Sequence, residues 1–496
     1  MNGFLKEFYQ SICMNKTINN IIFNVIYQIL TIAIPLITAP YIARVMGPES
    51  TGIYSYSTSV ANYFAIFMLL GVANYGSRSI ALSVKEGKGN TSKTFWEIYI
   101  LQFTISIIVL GIYCLFVCLV AKDYINALWA QIFYLFSVTI DIGWFFVGIG
   151  KIRIAVVRGM ILKVAQTACI FLFIKSQDDL IKYILIMSVG TFLGNFILWF
   201  CLKKEISFSK IGFKNVLKHI KPNVILFLPL LASSIFVYMD KIMLKIITND
   251  MVDVGMYEYA EKIVRLPLSV ISAIGAVMMP KVASSIAGDK EDKTVTRYMD
   301  ISMRYIGILA VGMSFGLFAV APELAIVYLG KNYANVGYLM QYMCSIILFS
   351  SFANIIRTQL LIPYGKDKEY SISIILGAVV NLVLNALLIP RLNSRGAAIG
   401  TICAELTVFL AHIFFTQKKL PIANYFKEWV LFLILGFIMF IAVRGIACLV
   451  STDLLGVIAE ILSGLVLYVV LAVILLKIMK DPYLKAVTEK LFRRVK

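Results

Sequence analysis

Apolar stretches of about 20 residues follow one another from residue 19 to residue 478, separated by short polar connections. A run of that length crosses the hydrocarbon core of a bilayer as a helix. Within that core only helices and closed barrels satisfy their own backbone hydrogen bonds. The short alternating segments of a β-barrel are not visible. The spacing therefore predicts an all-α polytopic membrane protein with about fourteen transmembrane helices. They are expected over 19–45, 52–78, 95–121, 125–149, 154–174, 179–202, 223–247, 255–280, 298–320, 335–363, 370–390, 396–416, 428–450 and 454–478. With 60% hydrophobic and 15% charged residues, the chain lacks the polar surface a soluble fold of this length requires.

The net charge of +19 does not point to nucleic acid, because no basic domain and no interleaved aromatic face is present. It follows the membrane instead. The two tails and the loops on one side carry thirty Lys and Arg, and the opposite loops carry nine. That asymmetry predicts both termini in the cytoplasm of a multi-pass protein of the cytoplasmic (inner) membrane. The first apolar stretch is too long for the core of a signal peptide and is expected to be retained as a helix. The eight Cys show no CxxC spacing, and His219 and His412 lie far apart, so neither a metal site nor a disulfide framework is expected.

Two halves are legible. Gly52-Ile53-Tyr54-Ser55-Tyr56 returns as Gly255-Met256-Tyr257-Glu258-Tyr259, and Gly71-Val72-Ala73 faces Gly275-Ala276-Val277 at almost the same offset. Transporters are often built from such repeats. The expected organisation is an N-terminal lobe over 1–202, a basic cytoplasmic linker over 203–222 that offers an amphipathic face, a C-terminal lobe over 223–420, and two further helices with a basic tail over 421–496.

Charges inside spans are costly and mark candidate sites. The cations are Arg158, Lys163, Lys241, Lys262, Arg265, Arg304 and Arg357, with Arg44 beside the first repeat motif. The carboxylates are Asp141, Asp240, Glu261 and Glu405. The excess of cations predicts a net positive interior suited to a phosphate-bearing substrate. Glu261 and Arg265, four apart on one helix, are equally suited to a structural pair, and Arg158, Arg304 and Arg357 to snorkelling. Tyr54, Tyr56, Trp144, Phe145 and Phe146 offer rings for sugars, with core packing as the plainer reading. Pro35, Pro40 and Pro229 place bends in the first helix of each half. No GxxxxGK[ST] loop and no nucleophile–base constellation occurs, so neither ATP hydrolysis nor another enzymatic activity is expected, and no cofactor.

The stretches PLITAPYIARVMGPESTGIYSYSTSVANYF, DIGWFFVGIGKIRIAVVRG, YMDKIMLKIITNDMVDVGMYEYAEKI, MMPKVAS, LLIPYGKDKEY and GAVVNLVLNALLIP, spread over nearly the whole chain, resemble the polysaccharide-transporter (Wzx-type) flippases of the multidrug/oligosaccharidyl-lipid/polysaccharide superfamily. Gly150 stands where many of those proteins carry an acidic residue. The resemblance implies two helical lobes around a central cavity, alternating access, and transport of undecaprenyl-diphosphate-linked oligosaccharide for surface polysaccharide assembly. Membrane lipids and the polymerases or ligases of such a pathway are the implied partners. The rivals are an ion-coupled multidrug antiporter of the same fold, which calls for an acidic cavity, and a membrane polymerase or ligase, which calls for a large outer loop not found here.

Overall fold

The computed structural model describes residues 2–209, 211–287, 292–417 and 421–485. Lys210, Lys290, Lys418, Lys419 and the basic tail beyond 485, as well as the side chains of Lys6, Lys16 and Lys293, all part of the charge pattern above, lie outside the described residues. The described residues form helices and connections with no strand. In chain order the helices are α1 Asn2–Leu69, α2 Val72–Ser83, α3 Lys88–Leu119, α4 Ile125–Ala130, α5 Ile132–Thr139, α6 Gly143–Gly148, α7 Ile152–Phe173, α8 Leu180–Leu202, α9 Phe213–Leu217, α10 Ile220–Ser234, α11 Asp240–Thr248, α12 Met251–Ala287, α13 Asp292–Leu329, α14 Ala334–Met343, α15 Ser345–Ile356, α16 Asp367–Leu392, α17 Ser394–Thr416, α18 Ile422–Ala447 and α19 Leu454–Ile478.

All fourteen expected spans fall on helix. Among the described residues twelve helical stretches are long and apolar enough to cross a bilayer, and a thirteenth if the pair Lys331–Met343 and Ser345–Leu361, bent by 44°, is one span. One of the twelve, Ala33–Glu86, holds parts of two expected helices. Gly47 breaks it with φ 75° and ψ 174°, a conformation a side chain resists, and Pro48 follows. The span over Ile125–Gly148 is three short pieces, α4, α5 and α6, and its irregular backbone is tied by buried side chains. Gln102 Nε2 donates to the carbonyls of Val138 (3.1 Å) and Asp141 (2.9 Å). A backbone break at membrane depth is tolerated where protein supplies such partners.

The chain forms two compact units, Met1–Gly255 and Met256–Lys496. In the first, Phe95, Trp144, Phe145, Phe146 and Leu198 make a buried core joining α3, α6 and α8. This unit also takes in α10 and α11, with Phe227 against Phe67 and Lys245 paired to Asp123 at 2.8 Å. The 203–222 segment carries a helix of five residues, α9, and not a long amphipathic one. Two wide π-helical turns, Ile235–Met239 and Arg357–Leu361, interrupt spans directly before Asp240 and at Arg357. In the second unit, α13 packs against α14, α15, α18 and α19, and α16 pairs with α17. Leu455, Leu465 and Val466 on α19 are exposed, as expected of a helix that faces lipid.

Candidate functional site

Asp141 sits at the break between α5 and α6. Its Oδ1 accepts the Gly143 N–H at 2.8 Å, which satisfies an orphan donor of the short helix that follows. Gln102, fully buried, holds the Asp141 carbonyl and accepts the Trp144 indole N–H at 3.0 Å. Arg158 on α7 acts on Asp141 electrostatically and donates to Asn195 Oδ1. Asn195 in turn donates to the Ser137 carbonyl at 2.9 Å. Asp141 and Arg158 are therefore brought together, through α5, α7 and α8. Lys163 lies further along α7, half-buried, and Arg44 is exposed. Trp144, Phe145 and Phe146 are buried in the core of the unit.

Asp240 and Lys241 are buried at the start of α11 behind the π-helical turn. In the second unit Arg265 Nε donates to Glu261 at 2.7 Å, and Glu405 of α17 acts on the same guanidinium. Glu405 also accepts the Ser350 hydroxyl at 2.6 Å. Lys262 is exposed, 3.8 Å from Glu258. Arg357 donates Nη2 to Asn354 Oδ1 at 2.9 Å and lies 6.0 Å from the Tyr370 ring centre, while its Nε is buried without a hydrogen-bond partner among the described residues.

Arg304 stands apart. Glu428 takes two of its N–H groups, one at 3.0 Å, and Asp481 takes a third at 2.6 Å. Tyr305 completes the cluster by donating to Asp481 at 2.9 Å. Burial by itself raises the pKa of Asp481, but the Leu484 N–H, Arg304 and Tyr305 outweigh it and hold the carboxyl below the usual range.

The expected cationic excess does not extend to the fully buried charges. Among the described residues these are Glu97, Asp179, Asp240, Glu261, Glu460 and Asp481 against Lys241 alone. Arg158, Lys163, Arg265, Arg304 and Arg357 are half-buried. The physical reason is stem length: Lys and Arg reach solvent from a buried Cα, whereas a short carboxylate goes under with its partner. Sequence reading passed over Glu97, Gln102 and Glu460. Glu97 and Gln102 are the acid and the amide within the apolar part of α3, and Glu460 is the one acid of α19; a polar side chain in so apolar a run was the available signal.

A bundle of broken, charge-bearing apolar helices arranged in two units is the build of a multi-pass membrane transporter. The chain matches the family described as polysaccharide biosynthesis protein over residues 17–286 and belongs to it. Two curated relatives carry the name "Putative O-antigen transporter". One, from Shigella dysenteriae, is 28% identical over 386 residues, 76% of this chain and 94% of the relative. The other, from Escherichia coli K12, is 21% identical over 405 residues, 81% and 96%. Among solved structures, the lipid II flippase MurJ in an inward closed conformation superposes with a TM-score of 0.72 at 16% identity, over 94% of this chain and all of that one. An inward-facing multidrug MATE transporter superposes with a TM-score of 0.60 at 16% identity, over 81% and 96%. These likenesses establish the shared fold.

Proposed function

We propose that this protein is a flippase of the cytoplasmic membrane, both termini inside, that moves polyprenyl-diphosphate-linked oligosaccharide outward by alternating access, without covalent chemistry on the cargo. The observation that carries this reading is family membership over residues 17–286, joined to relatives named as O-antigen transporters that are matched over almost their whole length. The cations offered to a diphosphate are Arg158, Lys163, Arg265 and Arg357, which are half-buried, together with Arg44, Lys241 and Lys262. Arg304 is assigned to structure, because Glu428 and Asp481 already occupy its guanidinium. Asp141, Asp240, Glu261 and Glu405 tune those cations or bind a coupling ion. The polymerase or ligase that consumes the product is the expected partner.

One observation favours the rival antiporter of organic cations: the fully buried charges are mostly acidic. Several of those acids are already engaged, Glu97 by Lys218 and His219, Asp179 by Lys182, Glu261 by Arg265 and Asp481 by Arg304. The deciding experiment is deletion of the gene in its host followed by analysis of lipid-linked intermediates. Complete repeat units accumulating on the inner leaflet support the flippase. Normal surface polysaccharide with raised sensitivity to organic cations supports the antiporter.

A further inference from the structure

The segment that joins α8 to α10 is stitched along one face of α3. Lys88, Ser92 and Trp96, four residues apart, meet it in turn. Lys88 Nζ reaches the Lys204 carbonyl at 3.5 Å, Ser92 Oγ accepts the Ser207 N–H at 3.2 Å, and Trp96 Nε1 donates to the Ser207 carbonyl at 3.1 Å. At the next position, Glu97, the seam changes character. A single carboxylate oxygen, Oε2, meets both Lys218 Nζ and His219 Nε2, each at 3.0 Å. The other, Oε1, is buried with no hydrogen-bond partner among the described residues. On the far side of the imidazole, Tyr75 of α2 lies 2.7 Å from Nδ1. The Glu97 and His219 side chains are 2% and 7% exposed, whereas that of Lys218 is 55% exposed.

These contacts assign the protons. A carboxylate only accepts, so Nε2 carries hydrogen. A neutral ring then leaves Nδ1 as acceptor for the Tyr75 hydroxyl. In this state Glu97, Lys218 and His219 sum to zero charge. A proton arriving from water at Nδ1 turns the Tyr75 hydroxyl from donor to acceptor and leaves two cations on one buried carboxylate oxygen. Two like charges at that separation in a poorly solvated site are costly. Lys218 is the member able to leave, since more than half its side chain already meets solvent. Among the described residues, Tyr75, Glu97 and Lys218 are the titratable or charged groups facing His219 from α2, α3 and its own segment.

We propose that Glu97 and His219 form a proton-binding site in which a proton on the imidazole and the Lys218 ammonium compete for one carboxylate, so that protonation frees Lys218 and the α9 segment from α3. The backbone at the other end of this contact stays fixed. Gly71, with φ 83°, lets the Asn223 carbonyl approach so closely that a β-carbon there would lie 2.8 Å from it. Release is therefore local to α9, while α10 remains seated on the start of α2. The inference goes beyond the transport reading and is independent of the cargo. It puts a proton-responsive element in a chain that lacks a nucleotide-binding loop.

Competition of this kind is reciprocal: whatever a proton costs Lys218, Lys218 costs the proton. The chain has two histidines, so selective isotope labelling of His in the full-length protein in nanodiscs yields two imidazole signals, and His219→Gln assigns them. The pH is scanned over about 5–8, the window in which imidazole changes charge. Lys218→Ala is expected to raise the proton affinity of His219 by about tenfold, one pH unit, and Glu97→Gln to move its titration below the window. Hydrogen exchange over 214–218, corrected for the intrinsic effect of pH, is expected to quicken in acid in the natural protein and not in His219→Gln. A His219 signal flat across the window, a midpoint unmoved by Lys218→Ala, or acid-induced exchange that persists in His219→Gln overturns the proposal. Should His219→Gln fail to fold, the midpoint shift of the surface variant Lys218→Ala still decides it.

Discussion

Gly52 and Gly255, the two glycines that head the repeated motif, lie against each other. A β-carbon on Gly52 would sit 1.8 Å from the Met251 carbonyl oxygen, and one on Gly255 would sit 2.1 Å from the Pro48 carbonyl oxygen. The facing atoms are backbone, with no flexible side chain to yield, so Gly52→Ala and Gly255→Ala are each expected to cost about 1–3 kcal/mol of overpacking and to lower the unfolding temperature. Gly111 on α3 has open space around it. Gly111→Ala, measured alongside by thermal unfolding in detergent, is expected to be neutral or stabilising by up to about 1 kcal/mol.

Arg304 and Arg265 are expected to separate stability from transport. Removing the Arg304 guanidinium orphans Glu428 and Asp481, so Arg304→Ala should reduce membrane abundance and unfolding temperature. Arg265→Ala and Arg357→Ala should lower polysaccharide export by more than any fall in abundance accounts for, each through the loss of about 1.5–3 kcal/mol of charge-assisted contact with the diphosphate, although Arg265→Ala also takes the guanidinium from buried Glu261. Immunoblots of membranes paired with surface polysaccharide assays read both quantities. Equal loss of abundance in all three variants would remove Arg265 and Arg357 from the transport path.

Asp481 gives a pH signature outside the membrane. Its carboxyl is held below the usual range, so its contribution to stability is complete above the ordinary value of about 3.9 and fades as pH falls through its depressed value. Asp481→Asn should therefore destabilise the protein at neutral pH by about 1–3 kcal/mol, read as a lower unfolding temperature, and differ progressively less from the natural protein in acid. A gap that stays constant down to about pH 2 would contradict this.

Asp141→Asn keeps an oxygen for the Gly143 N–H, whereas Asp141→Ala does not. The Asn variant should be as abundant as the natural protein but slower in transport, and the Ala variant should lose abundance as well. Undiminished export in Asp141→Asn would limit the residue to capping.

Reporter fusions test the orientation. Those after Lys122, Asn249 and Lys331 should report outside, and those after Lys88 and Lys203 inside. Reversal at two neighbouring sites would break the topology.

The helices were legible because each carries a local, repeated signal, an apolar run of bilayer length. The Gly52–Gly255 contact was half legible: the repeat showed that the positions correspond, and only coordinates show that they touch. The ion pairs divided by distance along the chain. Glu261 with Arg265 could be read from a spacing of four, but Glu97 with His219 joins residues 122 apart, and Arg304 with Asp481 residues 177 apart. No spacing rule reaches so far. Charge counting also misjudged depth, because it places a residue by its Cα, while Lys and Arg carry their charge several bonds away.

The π-helical turn Ile235–Met239 acts as an insertion of one residue upstream of Asp240. An α-helix advances about 100° per residue, so this single extra step sets which way everything after it faces. Shortening the turn by one residue would leave the composition and length of the span almost unchanged, yet swing Asp240 and Lys241 by more than a quarter circle. The burial of that pair is thus encoded less by the two residues than by the phase of the helix that carries them.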